Sequence, residues 1–229
     1  MPSAPAEDLK AAAAAHAVEL VRPGMLLGLG TGSTARHFID GVGRLVADGM
    51  ELAAVATSRA SEEQARALGI RLLDQLERPL DLAVDGADEV DASLNLIKGR
   101  GGALFREKVV AAAARRFVVV VDSFKLVDRL GVGVLPVEVL PFLWRTTAAR
   151  LAALGAAWQL RGGLQDPFLT DNGNLVLDLT LEGGIAGPEE LAAELRGVVG
   201  VVEHGLFLGL ATGCIAAGPE GIRELGELG

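Results

Sequence analysis

The chain has 229 residues, 50% of them apolar and 22% charged, which supports a real hydrophobic core and excludes a disordered, tail-like protein. Its 30 glycines are roughly twice the usual share and follow no collagen period, so they mark tight turns or backbone-lined pockets. A formal charge of -9 at pH 7 opposes generic attraction to nucleic acid or to an anionic membrane, so a small anionic ligand needs a local site.

In chain order, Ala6 to Val21 is an alanine-rich helix that ends before Pro23-Gly24. Met25 to Gly30 is a short buried strand running into Thr31-Gly32-Ser33-Thr34 and a helix from Ala35 to Ala47. The order returns in strand Leu52 to Thr57, helix Ser61 to Leu68, strand Arg71 to Leu73, strand Leu80 to Asp85, helix Ala103 to Arg115 and strand Phe117 to Val121. Such alternation predicts an α/β fold, a parallel sheet with helices on both faces. Past Leu130 the texture changes. Gly131-Val132-Gly133, Pro136 and Pro141 precede a helix around Trp144 to Leu154, strands follow at Ala156 to Arg161 and Asn174 to Leu181, and Pro188 opens a helix to Arg196. Two helices among several strands predict a smaller α+β unit. The tail, Leu206 to Ala217, reads as one buried strand returning to the first sheet.

The single cysteine, Cys214, excludes an intrachain disulfide framework and a cysteine-rich zinc site, and fits a reducing compartment. The start, MPSAPAEDLK, lacks the basic and apolar regions of a signal peptide, and the apolar stretch Gly205 to Gly218 is too short and glycine-broken for a membrane span. A cytoplasmic protein is expected.

Gly28-Leu29-Gly30-Thr31-Gly32-Ser33-Thr34 joins a buried strand to a helix start, where backbone N–H groups and the helix dipole favour an anion. It lacks the Gly-Lys-Ser/Thr of a P-loop, and Ser33 stands where the third glycine of a dinucleotide fingerprint belongs. The alternative is a tight turn with Ser33 or Thr34 as helix cap. Asp85-Gly86-Ala87-Asp88-Glu89-Val90-Asp91 puts up to four carboxylates at the C-terminal end of a strand, where α/β proteins hold ligands. A calcium loop would need glycine at Val90 and glutamate at Leu96, so the rival reading is a solvated acidic turn.

Lys98-Gly99-Arg100-Gly101-Gly102-Ala103-Leu104-Phe105-Arg106-Glu107-Lys108 is a second glycine-rich turn into a helix. The chain has 17 Arg and only four Lys (10, 98, 108 and 125), so a retained lysine points to a compact point-charge donor. The plainer alternatives are a solvated loop lysine at Lys98 and a helix-surface residue at Glu107. Lys125 lies just past another strand end, in Asp122-Ser123-Phe124-Lys125. His16, His37 and His204 lie far apart without metal spacing, and Cys214 reads as core.

The strand ends thus offer an anion cradle, a pair of aspartates, lysines and a glutamate, a set suited to a phosphorylated polar substrate. In order, GLGTGST, DGADEVD, KGRGGALFREK, VDSFK, LPVEVLP, TDNGN and GVVEHGLF resemble the motifs of the A-type ribose-5-phosphate isomerase family across residues 8–225. The resemblance implies a Rossmann-like catalytic domain over 1–131 and 205–229, a ferredoxin-like insertion over 132–204, and a homodimer or homotetramer. It implies interconversion of ribose 5-phosphate and ribulose 5-phosphate, in the pentose phosphate pathway, with no cofactor and no metal.

Carried over by motif, Glu107 is the base that shuttles a proton between C2 and C1, and Lys98 with the glycine-loop N–H groups stabilises the enediolate. Asp85 and Asp88 hold hydroxyls and aid ring opening. Substrate contacts are expected from Thr31, Gly32, Ser33, Thr34, Asp85, Gly86, Ala87, Asp88, Lys98, Gly99, Arg100, Gly101 and Lys125, with Thr31, Ser33, Thr34 and Lys125 at the phosphate and Lys10 a weaker candidate there. Arg100 stands where the family's KGGG loop has glycine, and it either swings outward or supplements phosphate binding. A sugar-phosphate-sensing regulator of related fold would carry a helix-turn-helix, for which the roughly 24 residues before the first strand are too few. An amino-sugar-phosphate deaminase would need a histidine near its acidic groups, and none lies between Asp85 and Glu107.

Overall fold

The computed structural model describes residues 6–228. Its elements begin with α1 (Ala6–Val18), β1 (Leu26–Leu29), α2 (Ser33–Ala47), β2 (Ala53–Ala56), α3 (Arg59–Ala67), β3 (Arg71–Leu72) and β4 (Leu82–Asp85). They continue with β5 (Glu89–Val90), β6 (Leu96–Ile97), α4 (Leu104–Ala112), β7 (Phe117–Asp122), a short 3-10 turn over Ser123–Lys125, and β8 (Leu135–Val139). The remainder is α5 (Trp144–Ala152), β9 (Ala157–Leu160), β10 (Leu175–Thr180), α6 (Pro188–Gly197), β11 (Val201–His204), β12 (Leu206–Phe207), β13 (Gly213–Gly218) and β14 (Gly221–Gly226).

Two compact units share these elements. The first takes Met1–Ala87, Arg106–Leu126 and Gly209–Gly229, and the second Asp88–Phe105 and Val127–Leu208. The insertion expected at 132–204 lies inside the second unit, which also takes the segment Asp88–Phe105 and the flanking residues 127–131 and 205–208.

The first unit is built on a seven-stranded sheet in the order β14-β13-β7-β4-β1-β2-β3, parallel except for the hairpin of β13 with β14. Its middle strands are apolar on both faces, as a sheet covered on both sides requires. Leu27, Leu29, Leu82, Val84, Val118 and Val120 share one cluster with Leu9, Ala13 and Ala17 of α1 and Phe38, Ile39 and Val42 of α2. Strand alternation turns Gly28 to the other face, where Val110 of α4 lies against it. Helices therefore cover both faces. The chain runs outward from β1 through β2 to β3, then returns to place β4 on the other side of β1. That reversal makes the carboxyl ends of β1 and β4 a topological switch point, the place where open α/β sheets bind ligands.

In the second unit β8, α5, β9, β10, α6 and β11 follow one another as βαββαβ, with antiparallel strand order β11-β8-β10-β9. This is the ferredoxin-like arrangement. Ala148 and Leu151 of α5 and Leu191 and Leu195 of α6 are buried with Leu135, Val137, Leu175 and Leu177 of the sheet. A separate small sheet joins β12, β6 and β5.

One expectation is corrected, and two strands of the four-stranded sheet are added where the sequence reading assigned no element. Residues 135–139 form a strand that tolerates Pro136, because Pro136 sits beyond the last pair with β11, His204 with Val137, where no partner needs its missing N–H. Val201–His204 is a further strand. The expected single strand Leu206 to Ala217 is two strands in different sheets, β12 and β13, separated at Gly209, whose φ of 62° ends any extended run.

Candidate active site

Asp85 ends β4 with 3% of its surface exposed. Its Oδ1 accepts from the Thr31 N–H at 3.0 Å and from the Gly86 N–H at 2.7 Å, so the buried carboxylate ties the acidic turn to the turn after β1. Only glycine can stand at position 30 between them, because a Cβ there would lie 2.3 Å from the Asp85 carboxyl carbon. The Thr31 hydroxyl donates to Ser58 Oγ at 2.8 Å, Ser58 donates to Ser61 Oγ at 3.0 Å, and Ser61 donates to the Gly30 carbonyl at 2.6 Å. Thr57 joins the relay 2.7 Å from the Thr31 hydroxyl. A hydroxyl carries one proton. Thr31 therefore orders the turn with both its N–H and its hydroxyl.

The residues that follow Thr31 open α2. The first intrahelical bond runs from the Arg36 N–H to the Gly32 carbonyl, which leaves the amides of Ser33, Thr34 and Ala35 at the end of the helix. Gly32 is the cap residue and makes no side-chain cap bond, so the alternative in which Ser33 or Thr34 caps the helix is excluded. Ser33 is exposed and Thr34 is buried.

The acidic turn divides by task. Glu89 accepts from the backbone N–H groups of Gly131 at 2.7 Å, Val132 at 3.3 Å and Gly133 at 2.6 Å, and Asp91 accepts from those of Ser93 and Asn95. Both carboxylates are structural. Asp88 is half-buried and its Oδ2 accepts from the Arg100 N–H at 2.9 Å, which brings the Asp88 carboxylate to the glycine loop.

Lys98 follows β6 and is 3% exposed, with its Nζ 5.6 Å from the centre of the Phe207 ring. The solvated-lysine alternative is excluded. Its N–H donates to the Gly205 carbonyl at 2.9 Å, and the Gly102 N–H closes a turn onto the Gly99 carbonyl at 3.0 Å. Glu107, in the first turn of α4, is 4% exposed, so it is not a helix-surface residue. Lys125 closes the 3-10 turn after β7, in which the Phe124 N–H donates to the Asp122 carboxylate at 3.2 Å.

The structure thus places Thr31, Gly32, Ser33, Thr34, Asp85, Gly86, Ala87, Glu107 and Lys125 in the first unit, and Asp88, Lys98, Gly99, Arg100 and Gly101 in the second. Thr57, Ser58 and Ser61 were missed from the sequence. Their signal was a hydroxyl triplet at a strand end, with Ser58 as the true cap of α3, where it accepts from the Ser61 N–H. Lys10 is paired with Glu7 in its own helix at 3.4 Å, and hydrogen bonds from His37 and then Lys10 hold the Glu7 carboxyl below its usual value. His16 lies 2.6 Å from Glu224, and His204 is fully buried. Among the described residues no group of three or more His, Cys, Asp or Glu is placed to hold a metal ion, and no helix is long and apolar enough to cross a membrane.

The family model of ribose 5-phosphate isomerase A (phosphoriboisomerase A) matches residues 53–221. A ribose-5-phosphate isomerase A of Synechococcus sp. (strain JA-3-3Ab) is 51% identical over 227 residues, which cover 97% of this chain and 98% of that protein. The chain belongs to the ribose 5-phosphate isomerase A family. Its fold matches a D-ribose-5-phosphate isomerase solved in complex with phospho-erythronic acid, at TM-score 0.93 and 38% identity over 98% of this chain and all of that one. It also matches ribose 5-phosphate isomerase A of Methanocaldococcus jannaschii, at TM-score 0.92 and 38% identity over 97% of this chain and 100% of that one. Within this isomerase A chain, Arg100 swings towards Glu89, 3.3 Å from its Oε1, and lies against Gly133, where a Cβ would meet the guanidinium at 1.8 Å. Its charge is spent on a buried carboxylate.

Proposed function

We propose that this chain is an aldose-ketose isomerase interconverting D-ribose 5-phosphate and D-ribulose 5-phosphate through an enediolate, as in the pentose phosphate pathway, with Glu107 as the base. The observation that carries the reading is full-length likeness to isomerases A in a chain that keeps Asp85, Lys98 and Glu107 almost wholly buried, at 3%, 3% and 4% exposure. Phospho-erythronic acid, held by a neighbour of the same fold, joins a planar carboxylate to a phosphate, the two features of the enediolate of a sugar phosphate.

The reaction moves a carbonyl from C1 to C2. Glu107 takes the proton from C2 of the open-chain aldehyde, and the C–H electron pair forms the C1–C2 double bond while the carbonyl pair goes to O1. A carboxylate removes a carbon-bound proton only if the resulting charge is stabilised, and Lys98 with the N–H groups of the glycine loop supplies that stabilisation. Asp85 and Asp88 hold the sugar hydroxyls, assist ring opening and relay the proton between O2 and O1. Glu107 then returns its proton to C1.

Ser33, Thr34 and the opening amides of α2 bind the phosphate with Lys125, while Thr31 keeps their turn in register with Asp85. Substrate and product are isomers, so the chemistry balances without an oxidant or a reductant, and the residues named supply every proton transfer. The same reading takes the protein as a homodimer or homotetramer and as cytoplasmic, and a lone buried cysteine fits that reducing compartment. A coupled spectroscopic assay with ribose 5-phosphate tests it. Turnover that is equal with and without EDTA is expected, and no turnover of ribose 5-phosphate overturns it.

A further inference from the structure

Arg161 follows β9 and is the residue of the second unit that grips the carbonyl side of the glycine loop. One edge of its guanidinium is held by Asp178 of β10, with Nε 2.9 Å from Oδ2 and Nη2 bonded to Oδ1. The remaining nitrogen, Nη1, donates to the carbonyls of Gly99 at 3.0 Å and Arg100 at 3.1 Å. The plane is steadied by the Phe168 ring, 5.8 Å from its carbon, and Arg161 keeps only 17% of its side chain exposed. Five donors in a rigid fork suit this double task, which a lysine ammonium cannot reproduce.

A trans peptide points its C=O and N–H in opposite directions. With the Gly99 carbonyl fixed on Arg161, the Arg100 N–H is turned away from it, and there it meets Asp88 Oδ2 at 2.9 Å. The Arg100 carbonyl is fixed on the same nitrogen, so the Gly101 N–H is also turned away from Arg161. Glycine flanks these peptides at 99 and 101, and glycine lets a peptide unit rotate at little cost. A rotated peptide would present a carbonyl where an enediolate needs a donor.

We infer that Arg161, held by Asp178, is a positioning residue for the isomerase reaction, orienting the Gly101 N–H as a donor to the enediolate oxygen. The inference rests on the reading that the Lys98–Gly101 loop stabilises that intermediate.

The experiment compares wild type, Arg161→Ala and Arg161→Lys for kcat, KM, melting temperature, and inhibition constants of phospho-erythronic acid and inorganic phosphate. Both variants are expected to lose about tenfold or more in kcat and to bind phospho-erythronic acid more weakly by a similar factor, with phosphate inhibition within about twofold of wild type. Inhibition constants do not depend on the fraction of enzyme that is folded, so a merely structural loss leaves both unchanged. Arg161→Lys retains a cation for Asp178 and is expected to recover most of the melting temperature without recovering kcat. An unchanged phospho-erythronic acid constant in either soluble variant, or full recovery of kcat in Arg161→Lys, overturns the inference. Failure of wild type to isomerise ribose 5-phosphate overturns instead the reading beneath it.

Discussion

Taking a carboxylate or an ammonium out of water costs several kcal/mol even after the protein relaxes, so a fold keeps one buried where hydrogen bonds or a chemical task compensate. Asp85 has its bonds from Thr31 and Gly86, and Glu89 has three backbone donors and Arg100. Residue types and their order were legible, but the hydrogen bond of the Thr31 hydroxyl to Ser58 was not, because it arises only when β2 and α3 lie beside the turn. The placement of Arg100 was left open for the same reason, since Glu89 and Gly133 are brought to it by folding. Cys214 was legible, because an apolar strand leaves a thiol no other place. Burial, against the opposing pull of Arg223, raises its thiol to about 12. Iodoacetamide at about pH 8 is therefore expected to leave native Cys214 unmodified and to alkylate it only in denaturant. Labelling of the native protein at the rate of a free thiol would contradict this.

At the scale of elements, the two-residue strands β5 and β6 are too short to show a period, but helix and strand order elsewhere through β7 was readable because apolar period and glycine turns agree. The strands β8 and β11 were not, since Pro136 suppresses the strand signal and β11 is half-buried, with three of its four residues only partly covered. The junction of β1 with α2 is the element on which the proposed phosphate site rests. If the opening turn of α2 grips the phosphate, Ser33→Ala with Thr34→Ala weakens inhibition by inorganic phosphate by about 1 kcal/mol for each lost hydrogen bond, or about fivefold each. Neither hydroxyl caps the helix, so the melting temperature is expected to move little. An inhibition constant equal to wild type would remove this turn from the phosphate site.

At the scale of the whole molecule, the net charge of -9 works against an anionic substrate, and local donors must overcome it. The sheet order supplies the place for them, because the chain reverses direction between β1 and β4 and leaves their carboxyl ends open. The α/β class was legible from alternation alone. The ferredoxin-like strand order of the second unit came from family resemblance, because antiparallel partners are chosen by packing across long sequence separations, as when Leu135 pairs with Leu179. The proposed reaction turns on Glu107, buried in the first turn of α4, as the carrier of the proton between C2 and C1. Steady-state turnover of ribose 5-phosphate by Glu107→Gln beside wild type tests it most directly. Glu107→Gln is expected to lower kcat by about 10² or more with KM within about twofold of wild type. Near-normal kcat in the variant would contradict it.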